Sequence, residues 1–84
     1  MNRRALYQVV GQDERHVWIV DLDGPLSVTN DAERVCVEVN RLFPGRRIIY
    51  QDTMGKWDEL VHQGGRFTGF APARDNHPPT RAGA

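Results

Sequence analysis

Residues 16–31, HVWIVDLDGPLSVTND, decide most of what this chain can become. The segment 16–22 presents two mostly apolar faces, with Val17, Ile19 and Asp21 on one and Trp18, Val20 and Leu22 on the other. A strand apolar on both sides belongs inside a sheet, with a helix covering at least one face. Asp23-Gly24 is a strong turn dipeptide and Pro25 has no N–H to give a ladder, so the strand stops there. Leu26-Ser27-Val28 then reads as a short extended return. Helix signals follow at once. Thr29 or Asn30 can cap the first free N–H groups, Asp31 suits the positive end, and Asn30 with Glu33 approximates a capping box.

The helix itself is the clearest element. Ala32, Val35, Cys36, Val39, Leu42 and Phe43 recur at helical spacing and form one apolar stripe. Arg34, Glu38 and Arg41 lie opposite, Val37 faces solvent in this register, and Pro44-Gly45 ends the run. Before the central strand, residues 5–10 (ALYQVV) form a β-type run joined to it by a polar connector of hairpin length, residues 11–15. After the helix, residues 46–51 (RRIIYQ) read as another strand. Residues 56–62 (KWDELVH) fit a strand or a helical turn. The strand is favoured because Gly64-Gly65 supplies a hairpin turn and residues 66–70 (RFTGF) a partner. The resulting string is ββαβββ, a two-layer α+β domain with one helix packed on a mostly antiparallel sheet. The domain is expected over residues 1–70. Residues 71–84, with three of the five prolines, read as a flexible tail.

Eighty-four residues allow one domain of marginal stability, which pairing with a copy of itself or with a partner would help. Eleven basic and eleven acidic side chains cancel, which argues against bulk electrostatic capture of nucleic acid or anionic lipid. Arg3-Arg4 and Arg46-Arg47 before strands, with Tyr7, Phe67 and Phe70 able to stack on bases, keep a small nucleic-acid-binding domain as an alternative. Ten of the eleven bases are Arg, a usage that forked anion recognition or a GC-rich genome would each produce. Cys36 is the only cysteine, which excludes an internal disulfide and fits a reducing compartment. No apolar run nears the roughly 18 residues of a membrane span, and the first ten residues lack the core of a signal peptide. The expected location is the cytoplasm. His16, His62, His77 and Cys36 show no metal-ligand spacing, so neither metal nor cofactor is expected.

Two stretches carry chemistry worth weighing. The run from Val17 to Leu26 resembles the first motif of the haloacid-dehalogenase phosphatase superfamily, in which an apolar strand delivers DxDG. The resemblance implies Asp21 as nucleophile, Asp23 as acid/base, Gly24 as the turn and Mg²⁺ bridging the carboxylates. It departs at Pro25, where that family usually has Thr, and no later strand ends in the acidic pair that completes the family's site. Read without the family, DLDG is a strand end and a turn. The other stretch runs from Tyr50 to His62, where Trp57 stands among Asp52, Asp58 and Glu59. A large aromatic with acids on its rim is the composition of a surface that selects a basic partner. The binding residues expected are Trp57, Asp58, Glu59, Asp52, Tyr50 and Phe67.

From Ser27 to Pro72 the chain also resembles small uncharacterised proteins of bacteria and their phages. The shared features are TNDAE opening a helix, PG closing it, then IIY, a G-x-WDEL segment and a final GFAP. That resemblance implies a stand-alone accessory protein and supplies no catalytic residue. The expected function is a non-enzymatic protein-binding module, a phage or prophage accessory protein that binds and inhibits a host protein complex. A Mg²⁺-dependent phosphatase at Asp21 and Asp23 is the enzymatic alternative.

Overall fold

The computed structural model describes residues 6–73. Five strands and one helix follow in the order β1 (Tyr7–Gln12), β2 (His16–Asp21), α1 (Thr29–Leu42), β3 (Arg47–Gln51), β4 (Trp57–Gln63) and β5 (Arg66–Pro72), with a 3₁₀ turn at Pro25–Ser27. The strands form one sheet in sequence order. Neighbours are antiparallel except β2 and β3, which run parallel because α1 carries the chain from one to the other. This is the α+β arrangement read from the sequence.

The apolar patterns explain the two layers. Val17, Ile19, Ile48, Tyr50 and Leu60 project from the sheet onto Ala32, Val35, Cys36 and Val39 of α1, with Leu26 closing one end. Tyr7 reaches over the helix and donates its hydroxyl to Glu38 at 2.6 Å. On the other face Trp18, Ile49 and Ala73 form a second cluster, flanked by half-buried Trp57. β2 is therefore apolar on both sides because it feeds both clusters, Val17 and Ile19 beneath α1 and Trp18 on the other face.

Several boundaries differ from the sequence reading, each for a local reason. Residues 25–27 are a 3₁₀ turn and not an extended return. Gly24 takes a left-handed φ of 85°, Pro25 supplies its fixed φ at the first position, and Ser27 Oγ donates to the Gly24 carbonyl at 2.9 Å. The helix begins with Val28 as its N-cap and no side-chain cap, in place of the expected Thr29 or Asn30. Burial of Val35 and Val39, at about 1.5–3 kcal/mol each, outweighs the roughly 1 kcal/mol of an absent cap. β1 extends to Gln12, shortening the connector, because Asp13 Oδ1 accepts from the Arg15 and His16 N–H groups at 2.8 and 2.7 Å. β5 runs to Pro72 and Ala73 is buried, so the folded part passes the expected boundary at residue 70. The rest of the expected tail, and Ala5, lie outside the described residues.

Candidate functional site

The parallel pair β2–β3 brings two carboxyl-terminal strand ends to one end of the sheet, a place where open sheets with crossovers hold ligands. Asp21, at the end of β2, is only 8% exposed. Its Oδ1 accepts from the N–H groups of Asp23 and Gly24 at 3.2 and 2.7 Å, and its Oδ2 from Leu26 at 3.2 Å. Both oxygens are thus engaged in shaping the turn that lets α1 fold back. The geometry assigns the first Asp of DLDG the role of a cap, while Asp23 stands exposed beside it.

The β3–β4 turn completes this end. Asp52 Oδ1 accepts from Met54 and Lys56 N–H at 2.9 and 2.8 Å, so this carboxylate also orders a loop. Tyr50 sits in the core layer, 4% exposed, directly across from Asp58 on β4. Burial pushes its hydroxyl up to about 12, and the negative charges of Asp58, Asp52 and Asp21 add to the shift. Phe70 of β5 stacks toward Tyr50 with ring centroids 6.1 Å apart and meets Phe67 edge-on at 5.0 Å, yet it stays 44% exposed. An accessible aromatic step therefore borders a negative field from three aspartates.

The six expected binding residues divide. Tyr50, Asp52 and Asp58 come together at this end. Trp57 and Glu59 lie on the opposite face, where Trp57 packs beside Trp18, Ile49 and Ala73. Glu59 is engaged by Arg47 in a fork, Nε to Oε2 at 3.0 Å and Nη2 to Oε1 at 2.6 Å. Its side chain is 10% exposed against 56% for Arg47, so the pair supplies a largely buried carboxylate with its cation, and Glu59 in turn raises the pKa of Arg47. Phe67 packs against the helix-side core. Phe70, singled out above only as able to stack on bases, is not one of those six, and residues three apart in a regular strand point opposite ways. The register shift opposite Val61 and His62 turns both phenylalanines to one side.

His62, the Nδ1 side of His16, and Arg46 have structural partners. His62 Nε2 lies 2.7 Å from the Arg46 carbonyl, and its Nδ1 accepts from Gly65 N–H at 2.9 Å. His16 Nδ1 lies 3.2 Å from Asp13 Oδ1, and its ring is 5.2 Å from that of Trp18. Arg46 bonds Gln12 Oε1 at 3.1 Å and covers the Phe43 ring at 5.7 Å, so both arginines of the 46–47 pair have partners within the domain. Cys36 is fully buried, and burial first, then Glu33, pushes its thiol up to about 12. Among the described residues no three His, Cys, Asp or Glu side chains gather as a metal would need. Among them, too, no helix is long and apolar enough to cross a membrane. Comparison of the chain with protein-family models, with curated proteins and with solved structures gives no match.

Proposed function

We propose that the domain is a non-enzymatic protein-binding module that takes a basic segment of its partner at the end of the sheet formed by Tyr50, Asp52, Asp58 and Phe70. The observation that carries this reading is exposed Phe70 lying beside Tyr50, whose partner across the strands is Asp58, with the charges of Asp52 and Asp21 also acting at the phenol. An arginine or lysine of the partner can lay its stem or guanidinium on Phe70 while its charge meets Asp58. The electrostatic component steers and selects, and the aromatic supplies the area removed from water. This reading fits an accessory protein of bacteria or phages that inhibits a host protein complex by covering a basic surface.

The test is titration of the isotope-labelled protein with a hexa-arginine peptide, following backbone amide shifts. Saturable shifts at residues 50–58 and Phe70 are expected, weakening with added salt. Asp58→Asn and Phe70→Ser each reduce the affinity several-fold and leave the rest of the spectrum in place. Absence of localised shifts with the unmodified protein at millimolar peptide would refute the site. In capture from the host, the same two substitutions lose a partner that the unmodified protein retains.

A further inference from the structure

A second feature lies on the outer side of α1, away from that end. Glu33, Val37 and Arg41 follow one another at i, i+4 and i+8, so they form a single stripe along the helix surface. All three are exposed, and Val37 is 53% exposed although nearby Val35 and Val39 are fully or almost fully buried. The stripe borders a groove of about 370 Å³ between α1 and the β4–β5 hairpin, lined by Glu33, Val37, Gly64, Gly65, Arg66 and Phe67. Gly65 approaches the helix so closely that a β-carbon there would meet Asn40 Cβ at 3.1 Å, which places the hairpin turn beside the last turns of α1. Arg66, next to that turn, therefore lies toward the Arg41 end of the groove, with Glu33 nearer the other end.

An acid at one end, an apolar residue in the middle and bases at the other end make a pattern complementary to itself in one orientation only. When two such helices cross antiparallel about a two-fold axis, position 37 meets position 37 and position 33 meets position 41. We infer that this face is an isologous interface with a second copy of the chain. Val37 sits at the axis, and Glu33 of each copy lies against the partner's Arg41 and the partner's Arg66. The partner's Val37 enters the groove floored by Phe67 and the low Gly64-Gly65 turn. Gly64 and Gly65 carry no side chain into that space. A domain this small also gains from association, since its own core buries a limited share of its surface. A parallel pairing would set Glu33 against Glu33 and Arg41 against Arg41, and is disfavoured.

Sedimentation equilibrium of the full chain tests this. The expected result is a monomer–dimer equilibrium that weakens when salt rises, because the flanking pairs are exposed. Glu33→Arg alone and Arg41→Glu with Arg66→Glu each put like charges across the axis and give monomers. Mixed in equal amounts, the two variants restore opposite charges at both ends and re-form a dimer, now a heterodimer. Val37→Cys, mildly oxidised, gives a disulfide-linked dimer, whereas Val28→Cys, equally exposed but off the stripe, does not. A wild-type chain that stays monomeric at about 1 mM in low salt, at which even a weak pair of about 4 kcal/mol would be half formed, overturns the interface. So does a dimer that survives unchanged in both charge variants.

Discussion

Asp21 shows how a residue with the outline of a nucleophile serves the fold. A strand that must stop and return into a helix leaves several N–H groups without ladder partners, and one short carboxylate two to five residues upstream can take them all. Asp21 takes three, at Asp23, Gly24 and Leu26. Asp21→Ala is expected to cost about 2–3 kcal/mol in urea denaturation, since partly buried donors lose their acceptor. Asp21→Asn keeps a carbonyl oxygen for two of them and gives up the acceptor for Leu26, so its cost is about 1 kcal/mol. Equal losses from both substitutions would mean that the negative charge, and not the geometry of acceptance, is what matters. The sequence carried the pair Asp21 and Asp23 but not the direction in which the carboxylate turns. That direction is set by Gly24 entering the left-handed region, a conformation that DG permits without requiring.

Among the elements, the β4–β5 hairpin has the most defined geometry. Gly64 and Gly65 both have positive φ, 59° and 91°, but only Gly65 faces the helix. Gly64→Ala is expected to cost about 1 kcal/mol from the backbone alone. Gly65→Ala is expected to cost about 2 kcal/mol, because the added methyl also presses on Asn40 at the end of α1. Thermal denaturation of the two variants compares them directly, and equal costs would show that the hairpin moves away from the helix freely. Helix and strands were legible because their signals are local. The stripe from Ala32 to Val39 needs only helical spacing, and a ladder of β-branched residues needs only alternation. The grouping proposed as a site was half legible for the same reason. Tyr50, Asp52 and Asp58 lie within nine residues of one another, so composition alone grouped them. The parity of Trp57 and Glu59 put them on the other face, and which face stays open depends on where α1 lands. Phe70 was visible as an aromatic, but the register shift that brings it to this side is marked in RFTGF only by the glycine before it.

At the scale of the whole molecule, the arrangement of acidic protons makes stability depend on alkaline pH. The two tyrosines and the single cysteine all ionise with difficulty in the fold. Burial pushes Cys36 from 9.0 and Tyr50 from 10.0, both to about 12, and raises Tyr7, whose phenol also donates to Glu38. In the unfolded chain these groups lose their protons near their ordinary values. Above those values the unfolded state binds fewer protons than the native one, so stability falls as pH rises. The contribution is complete below about pH 9 and is lost progressively between about pH 9 and 12. Few other groups cloud this window, because Lys56 is the only lysine and the arginines keep their charge. The urea midpoint should therefore hold level from pH 7 to about 8.5 and then drop steadily. Cys36→Val removes the group with the lowest ordinary value and fits the same buried space. Its midpoint curve should stay level to a higher pH, turning down only as the tyrosines begin to ionise. If the variant and the parent chain bend at the same pH, the cysteine thiol is reaching water in the native state, and the helix-side core is looser than its packing implies.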